Sequence, residues 1–229
     1  MRNHEIQASP AKQSLPDMVY RQLRHAILNG SFSPGQMLRQ DELATQLGVS
    51  RSPLREALPR LEAEGIVVQH PRRGYAVTEL RSDEIKEVFE LRVLLETAIA
   101  KHAISNRTEA DIAQVYEIAG RMRTIAEGAP QDKDWAQWFE LNQLFHEALQ
   151  APAELPHYQR SLATARGVME AYIRNEVRLT GDLLQAQKEH GELAQAFVEG
   201  NSDLFVELTI AHSQHTRDRL LFALQQHAD

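Results

Sequence analysis

Apolar residues recur three or four positions apart along most of this chain, and this spacing predicts a protein built mainly of α-helices. A polar tail of residues 1–13 is expected to be flexible. The first helix is predicted to start at Ser14, because Ser14 and Asp17 form a capping pattern, and to end at Asn29-Gly30. Its inward face carries Val19, Leu23 and Ile27.

Residues 41–65 carry the most informative pattern, which predicts two short helices joined by a tight turn. The turn is Gly48-Val49-Ser50, because glycine tolerates the left-handed conformation that such a turn needs. Ser50 is then the N-cap of a second helix, with Pro53 in its first turn, where the missing N–H costs least. The residues expected to face inward are Leu43, Ala44 and Leu47 in the first helix and Leu54, Leu58 and Leu61 in the second.

A short hairpin is predicted directly after these helices. Residues 66–68 and 75–77 indicate two strands, and the basic residues 70–74 indicate the turn between them. Cationic groups therefore occupy both the start of the second helix and the loop that follows it. This layout is typical of a winged helix-turn-helix, whose second helix enters a groove of DNA. A helical hairpin with a solvated basic face is the alternative that the pattern leaves open.

The run LATQLGVSRSPLREALPRLEAEGIV, with the basic loop after it, resembles the winged helix-turn-helix of the GntR family of bacterial transcription regulators. The resemblance covers residues 19–77. It implies that Arg51 and Arg55 both touch DNA, and it leaves open which of them reads a base. Pro59 lies inside the same helix and is expected to bend it.

Further DNA contacts are expected from hydroxyl groups and from the wing. Ser50 and Ser52 can donate to phosphates beside the free amides of the helix N-terminus. Arg72, Arg73 and Gly74 are the wing residues, and Gly74 would allow close approach of the backbone. The chain also has an arginine further along the helix, Arg60, which is expected to be solvated.

Beyond a junction at residues 79–82 the pattern is helical throughout and predicts a bundle of about six helices. Their starts are expected at Ser82, Thr108, Asp134, near Tyr158, at Gly181-Asp182 and after Gly200-Asn201. The predicted fold class is thus mainly α. An N-terminal winged helix-turn-helix of residues 14–78 precedes an all-α domain of residues 82–227.

Charge is distributed unequally between these two parts. The net charge is −7, yet residues 1–80 hold ten Lys and Arg against eight Asp and Glu, so the excess of acid lies in residues 81–229. A local basic surface is sufficient for DNA binding because phosphate contacts are made locally. The absence of cysteine excludes disulfides and cysteine nucleophiles, and with no secretory signal or membrane-length apolar run it suggests a cytoplasmic protein.

Three of the ten histidines are better placed than the others to form a site in the helical part. Asn142 and His146 lie four residues apart on the predicted third helix of the bundle, so they share a face. His190 and His212 lie on its fifth and sixth helices. Imidazoles and an oxygen ligand from three helices suit a divalent transition metal, although an isolated helical histidine is more often a surface or capped residue.

The segments LNQLFHEAL, KEHGELAQAFVEGN and IAHSQHTRDRLLFAL are similar to the metal-binding pattern of the FCD effector domain, which follows the GntR reader in one large subfamily. The resemblance implies that Asn142, His146, His190 and His212 are the ligands, with zinc the first choice of metal and nickel, manganese or iron the alternatives. Asparagine departs from the more usual aspartate, and its neutral oxygen binds a cation less strongly. His215, close to His212, is a rival ligand.

Arg92 resembles the family's arginine that faces the ligand cavity, where a guanidinium can hold a carboxylate bidentately. An ion pair with Glu96, four residues on, is an equally good reading of the spacing.

The function expected is a repressor whose helical domain binds a small organic acid beside the metal and thereby changes affinity for double-stranded operator DNA. A homodimer is expected, because paired half-sites need two readers about one DNA turn apart. Two alternatives are a metalloenzyme and a DNA-binding module with a purely structural metal. Gln150 occupies the place of the second histidine of an HExxH motif, so the protein is not expected to be an enzyme.

Overall fold

A computed structural model describes residues 14–129, 133–180 and 183–226. The chain divides into two compact units that meet between Glu79 and Leu80. This division falls inside the junction predicted from the sequence. Of the helices in the described part of the chain, none combines the length and the apolar stretch that a bilayer crossing requires.

The first unit contains three helices and one small sheet in the residues described. Its elements are α1 (Leu15–Leu28), β1 (Met37–Leu38), α2 (Gln40–Leu47), α3 (Arg51–Ala63), β2 (Val67–His70) and β3 (Gly74–Val77). The sheet is antiparallel with strand order β1-β3-β2, so the predicted hairpin is joined by a short strand that the sequence did not indicate. Helix α1 starts as predicted, since the Ser14 side chain accepts from the amide of Asp17.

The predicted helix-turn-helix is confirmed, and its turn depends on one residue with positive φ. Gly48 ends α2 in the left-handed conformation at φ +64°, where a Cβ would be strained. Leu54, Leu58 and Leu61 of α3 are wholly buried, as their spacing predicted. Helix α3 continues through Pro59 as far as Ala63.

Side chains of α1 contact the C-terminal end of α3. Arg60 pairs with Asp17 at 2.7 Å, and its guanidinium lies 4.1 Å from the centre of the Tyr20 ring. Beyond the end of α3, Glu64 accepts hydrogen bonds from the hydroxyl of Tyr20 and from Arg24. Arg60 is exposed, as expected of a solvated arginine, and it also makes a tertiary contact with α1.

The second unit contains six α-helices in the residues described, which confirms the predicted bundle. They are α4 (Ser82–Asn106), α5 (Glu109–Glu127), α6 (Trp135–Gln150), α7 (Pro156–Thr180), α8 (Leu183–Glu199) and α9 (Ser202–Gln226), with a 3-10 turn at Ala151–Ala153. Thr108 and Asp134 are the N-caps of α5 and α6, as predicted. The predicted start at Gly181-Asp182 lies outside the described residues.

Large aromatic side chains fill the core of this bundle. Trp138, Phe139 and Phe145 of α6 and Phe197 of α8 are almost completely buried. Helix α4 packs lengthwise against α9 and also contacts α7. The packing brings α4, α6, α7, α8 and α9 around one polar region inside an otherwise apolar core.

Candidate functional site

Three histidines from three helices meet in that polar region. His146 lies on α6, His190 on α8 and His212 on α9, and one ligand nitrogen from each lies within 4.8 Å of the others. The ring centres are separated by 5.3 Å, 5.3 Å and 4.9 Å. The resemblance to the FCD domain implied this set of histidines, which spacing alone did not establish, and the helices do bring the three rings together.

Two of the expected ligands, His190 and Asn142, have buried polar atoms without partners. His190 is 1% exposed, and neither of its ring nitrogens has a hydrogen-bond partner in the described structure. The side-chain oxygen of Asn142, one turn before His146 on α6, is also buried without a partner. Buried polar atoms left unpaired cost free energy, so a group that binds them is expected. Three imidazoles and an amide oxygen fit a divalent transition metal.

The three histidines favour the neutral form of imidazole, which is the form that binds a metal ion. Burial lowers the pKa of His146 and of His190 well below the usual value for imidazole, and the charges of Arg166 and His212, respectively, add to this effect. Burial also lowers the pKa of His212, against the opposing effect of Glu189. The neutral ring, which has a lone pair to donate, is therefore the favoured form.

Glu189 supports the site from outside the triad. Its carboxylate lies 2.7 Å from Nδ1 of His212 and 3.2 Å from Nη1 of Arg219. Although burial opposes ionisation, the hydrogen bond and charge of His212 and the charge of Arg219 lower the pKa of Glu189 to about 2. The ionised carboxylate can only accept, so Nδ1 of His212 carries the hydrogen and Nε2 has the free lone pair.

Sequence reasoning missed Glu189. In the sequence, its only link to the site is its position directly before His190. Consecutive residues on a helix point about 100° apart, so this position alone does not predict that Glu189 contacts the site. Its contact with α9 depends on how α8 packs against that helix, which spacing alone does not determine.

The structure also distinguishes between His212 and His215 as the third histidine of the group. The side chain of His215 is 56% exposed, and its Nδ1 lies 3.2 Å from a carboxylate oxygen of Glu189. It does not belong to the group of converging nitrogens, whereas His212 does.

A buried ionic cluster lies on the α4 side of the histidines. Glu96 of α4 accepts from Arg92 at 3.2 Å, from Arg166 of α7 at 2.9 Å and from the hydroxyl of Ser213 of α9. Burial opposes its ionisation, but the charges of the two arginines dominate and lower the pKa of Glu96 to about 2. The ion pair between Arg92 and Glu96, left open by the sequence, is therefore present.

A small cavity lies between this cluster and the triad. Its apolar lining includes Ile99, Leu149, Leu193 and Phe205, and its polar lining is Glu96, His146, Gln150, Arg166, Thr209 and His212. Its volume is about 30 Å³, room for one or two water molecules. Arg92 is not among the lining residues, so the arginine that faces the cavity is Arg166, which sequence reasoning did not select.

In the first unit, the predicted DNA-contacting side chains lie together at the start of α3. Ser50, Arg51, Ser52 and Arg55 are all exposed. Ser50 is the N-cap residue, but its side chain makes no capping hydrogen bond. Arg51 forms an ion pair with Asp41 of α2.

The wing follows β2 and exposes two further cations. Arg72 and Arg73 are exposed, and within the described residues neither they nor Arg55 forms an ion pair. Arg72 has φ +65° and Gly74 has φ +94°, so the wing turn contains two residues in left-handed conformations. The basic groups of this unit are thus presented at a helix N-terminus and at a tight turn.

Comparison with protein-family models identifies both parts. Residues 15–77 match the model described as bacterial regulatory proteins, gntR family, and residues 87–215 match the FCD domain. The chain belongs to the GntR family of transcription regulators and carries an FCD domain. These families are regulators rather than enzymes, which confirms the expectation that the chain is not an enzyme.

Individual relatives agree with this assignment. The uncharacterized HTH-type transcriptional regulator YdhC of Bacillus subtilis is 26% identical over 90% of this chain and 91% of its own length. The HTH-type transcriptional repressor RspR of Escherichia coli is 30% identical over 63% of this chain and 61% of its own length. The solved structure of E. coli McbR/YncC matches the fold with a TM-score of 0.76 at 24% identity, covering 93% of this chain and 99% of that one.

Proposed function

We propose that this protein is a repressor that binds operator DNA through its first unit and senses a small carboxylate through a metal ion in its second. The observation that carries the proposal is the convergence of His146, His190 and His212, of which His190 is buried and the other two are half-buried. His190 has two unpaired ring nitrogens, and the other two histidines line a cavity that Arg166 also lines, an arrangement that a purely structural bundle does not need.

The DNA contacts are proposed at the exposed start of α3 and at the wing. Arg51 and Arg55 enter the groove, where a guanidinium can bind guanine O6 and N7. Ser50 and Ser52 donate to phosphates beside the helix amides. Arg72, Arg73 and Gly74 contact the backbone or the minor groove. A further step is implied for Arg51, which must exchange its ion pair with Asp41 for a DNA contact.

The metal ligands are proposed to be Asn142, His146, His190 and His212. The unpaired oxygen of Asn142 and the unpaired ring of His190 support this set. Zinc is the first expectation, with nickel, manganese or iron as alternatives. A bound metal would supply an electrophilic centre for a carboxylate oxygen, while this chain supplies the neutral imidazoles, the carboxylate of Glu189 that orients His212, and the apolar wall.

The effector is proposed to be a small organic acid held at the cavity. Arg92 was the expected partner from the sequence, and the cavity lining adds Arg166 as the arginine that can meet the carboxylate directly. Arg92 then acts through Glu96, which both arginines share. Because Glu96 joins α4, α7 and α9, a ligand that competes for Arg166 alters contacts among three helices, which is a route from the site to the rest of the unit.

Repression is the expected direction of control. Two of the relatives, RspR and GlaR of E. coli, are named as transcriptional repressors. A homodimer is proposed, since two readers about one DNA turn apart match paired half-sites.

The test combines DNA binding and metal content in one set of purified proteins. Wild type is expected to shift a DNA fragment from its own genomic neighbourhood at low ionic strength and to contain one metal ion per chain by elemental analysis. Arg55→Ala should weaken the shift about tenfold or more while metal content is unchanged. Arg121→Ala, which removes an exposed arginine of α5, is the matched control and should not alter either measurement.

The second arm separates sensing from DNA binding. His190→Ala should lose the metal and the response of the shift to a panel of small carboxylates, from acetate to dicarboxylates, and still bind DNA. If wild type shifts no DNA fragment from its genomic neighbourhood, the proposed DNA-binding role of the first unit is disproved. Full metal content in the His190→Ala protein would disprove the sensor assignment independently.

A further inference from the structure

Helix α8 carries a buried amide whose oxygen has no partner. Gln187 lies one turn before His190, and only 8% of its surface is exposed. Its Nε2 lies 3.4 Å from the backbone oxygen of Ala119 on α5. Because a carbonyl oxygen can only accept, this contact identifies the nitrogen end of the amide and leaves Oε1 as the free end. Oε1 is buried and has no hydrogen-bond partner within the described residues.

A structural role in joining α5 to α8 does not account for this oxygen. The contact with Ala119 is longer than most N–H···O hydrogen bonds, and it uses only the nitrogen of the amide. A buried acceptor without a partner costs free energy, so an apolar residue of similar size would suit a purely structural position better. The oxygen of Gln187 is therefore expected to accept from a nearby donor.

His190 can supply that donor when it binds a metal ion. Both of its ring nitrogens are buried and unpaired in the part of the chain that the structure describes. A metal ion takes the lone pair of one nitrogen, and the other nitrogen then carries a hydrogen. Histidines that bind metals nearly always donate that hydrogen to an acceptor, which fixes the tautomer and the orientation of the ring. Glu189 accepts from His212 in this way, and His190 requires an acceptor of its own.

We propose that Oε1 of Gln187 accepts a hydrogen bond from the ring nitrogen of His190 that does not bind the metal. The proposal rests on the metal site proposed above and makes Gln187 a positioning residue of that site. The bond forms when metal binding fixes which nitrogen of His190 carries the hydrogen.

The other unpaired atoms nearby support this choice of acceptor. Within the described residues, two buried side-chain oxygens lack a partner, on Asn142 and on Gln187, and the first is a proposed metal ligand. Trp138, whose ring centre lies 6.0 Å from that of His190, also has an unpaired ring N–H. An amide oxygen has two lone pairs, so Gln187 can accept from both rings.

Competition for Zn²⁺ against a chromophoric chelator tests the proposal on the full chain. Gln187→Leu keeps the approximate size of the side chain and removes the acceptor, so the affinity for Zn²⁺ should fall about tenfold to a hundredfold. Gln187→Glu retains an acceptor oxygen and should stay within about threefold of wild type. Gln195→Leu changes an exposed glutamine of the same helix, and this matched control should bind Zn²⁺ like wild type.

Two further measurements distinguish positioning from a purely structural role. Without metal, Gln187→Leu should unfold at the same denaturant concentration as wild type or at a higher one, because it removes an unpaired buried acceptor. With Co²⁺ bound, the paramagnetic ion shifts the ring N–H proton resonances of its histidine ligands away from all others. Gln187→Leu should move one of these resonances and leave the rest in place.

The outcomes separate this proposal from the one on which it rests. A wild-type protein that binds no Zn²⁺ would overturn the metal site and the role of Gln187 together. If wild type binds Zn²⁺ and Gln187→Leu binds it equally well, only the role of Gln187 is overturned. The same holds if Gln187→Glu is as weak as Gln187→Leu, or if Gln187→Leu lowers the denaturation midpoint and leaves every shifted resonance in place.

Discussion

Glu189 on α8 accepts a hydrogen bond from Nδ1 of His212 on α9 across 2.7 Å. The contact joins two helices and sets the tautomer of a proposed metal ligand, because a carboxylate cannot donate. His215 contacts the same carboxylate at 3.2 Å, but only His212 belongs to the group of converging nitrogens.

Glu189→Gln should weaken metal binding about tenfold to a hundredfold, because the amide no longer holds the imidazole with a charge. Competition against a chromophoric chelator measures this change. Glu192→Gln, on an exposed position of the same helix beside Lys188, provides the comparison and should leave the affinity unchanged. Equal affinities for the two variants would remove Glu189 from the description of the site.

Single substitutions at His212 and His215 should have opposite outcomes. His212→Ala is expected to purify without metal, since the triad loses one of its converging nitrogens. His215→Ala should retain metal at full stoichiometry by elemental analysis. If the two results were exchanged, the ligand on α9 would be His215 and the arrangement described here would have to change on metal binding.

Glu96→Gln should destabilise the second unit by about 3–5 kcal/mol, because it leaves Arg92 and Arg166 without their shared buried counter-charge. Denaturant unfolding measures the difference. Glu117→Gln, which removes an exposed carboxylate 3.9 Å from Arg121, should change stability by no more than about 0.5 kcal/mol. A loss at Glu96 as small as that at Glu117 would show that the cluster does not hold the helices together.

Tyr20 gives the first unit a pH dependence in alkali. Burial and the hydrogen bond to Glu64 raise the pKa of Tyr20 from 10.0 to about 12. Because the folded form holds the proton more tightly, this contribution to stability is complete below pH 10 and is lost as the pH rises from 10 to 12.

Ultraviolet titration of the tyrosines should therefore show a late component that disappears in Tyr20→Phe. Burial also raises the pKa of Tyr75, so a second late component remains in that variant. Tyr116→Phe, at an exposed position of α5, should leave both late components in place. Persistence of the whole late component in Tyr20→Phe would show that the contact between Tyr20 and Glu64 does not hold in solution.

Local signals were enough to predict most of the fold. Ser14, Thr108 and Asp134 cap helices because their side-chain oxygens reach amides three residues on, which depends only on nearby sequence. Strand β1 was missed because two residues have no periodicity, and its pairing with β3 is a long-range contact.

The site was predictable to the extent that its residues share a helix face. Asn142 and His146 are one turn apart, so their shared direction follows from helix geometry. Arg166 and Glu189 reach the site from α7 and α8 through the packing of whole helices, and no local spacing records that. For Arg92 the sequence left two partners open, Glu96 or the carboxylate of a ligand. The structure shows the ion pair with Glu96.

Glu96 is a built-in competitor for any acid that approaches Arg166. As a buried carboxylate already paired with Arg166, it occupies that guanidinium whatever the surrounding solution contains. An acid that binds Arg166 must displace this contact, and a second attachment to the proposed metal would favour the exchange. For the carboxylate effector proposed above, the threshold concentration would therefore depend on how firmly this glutamate is held.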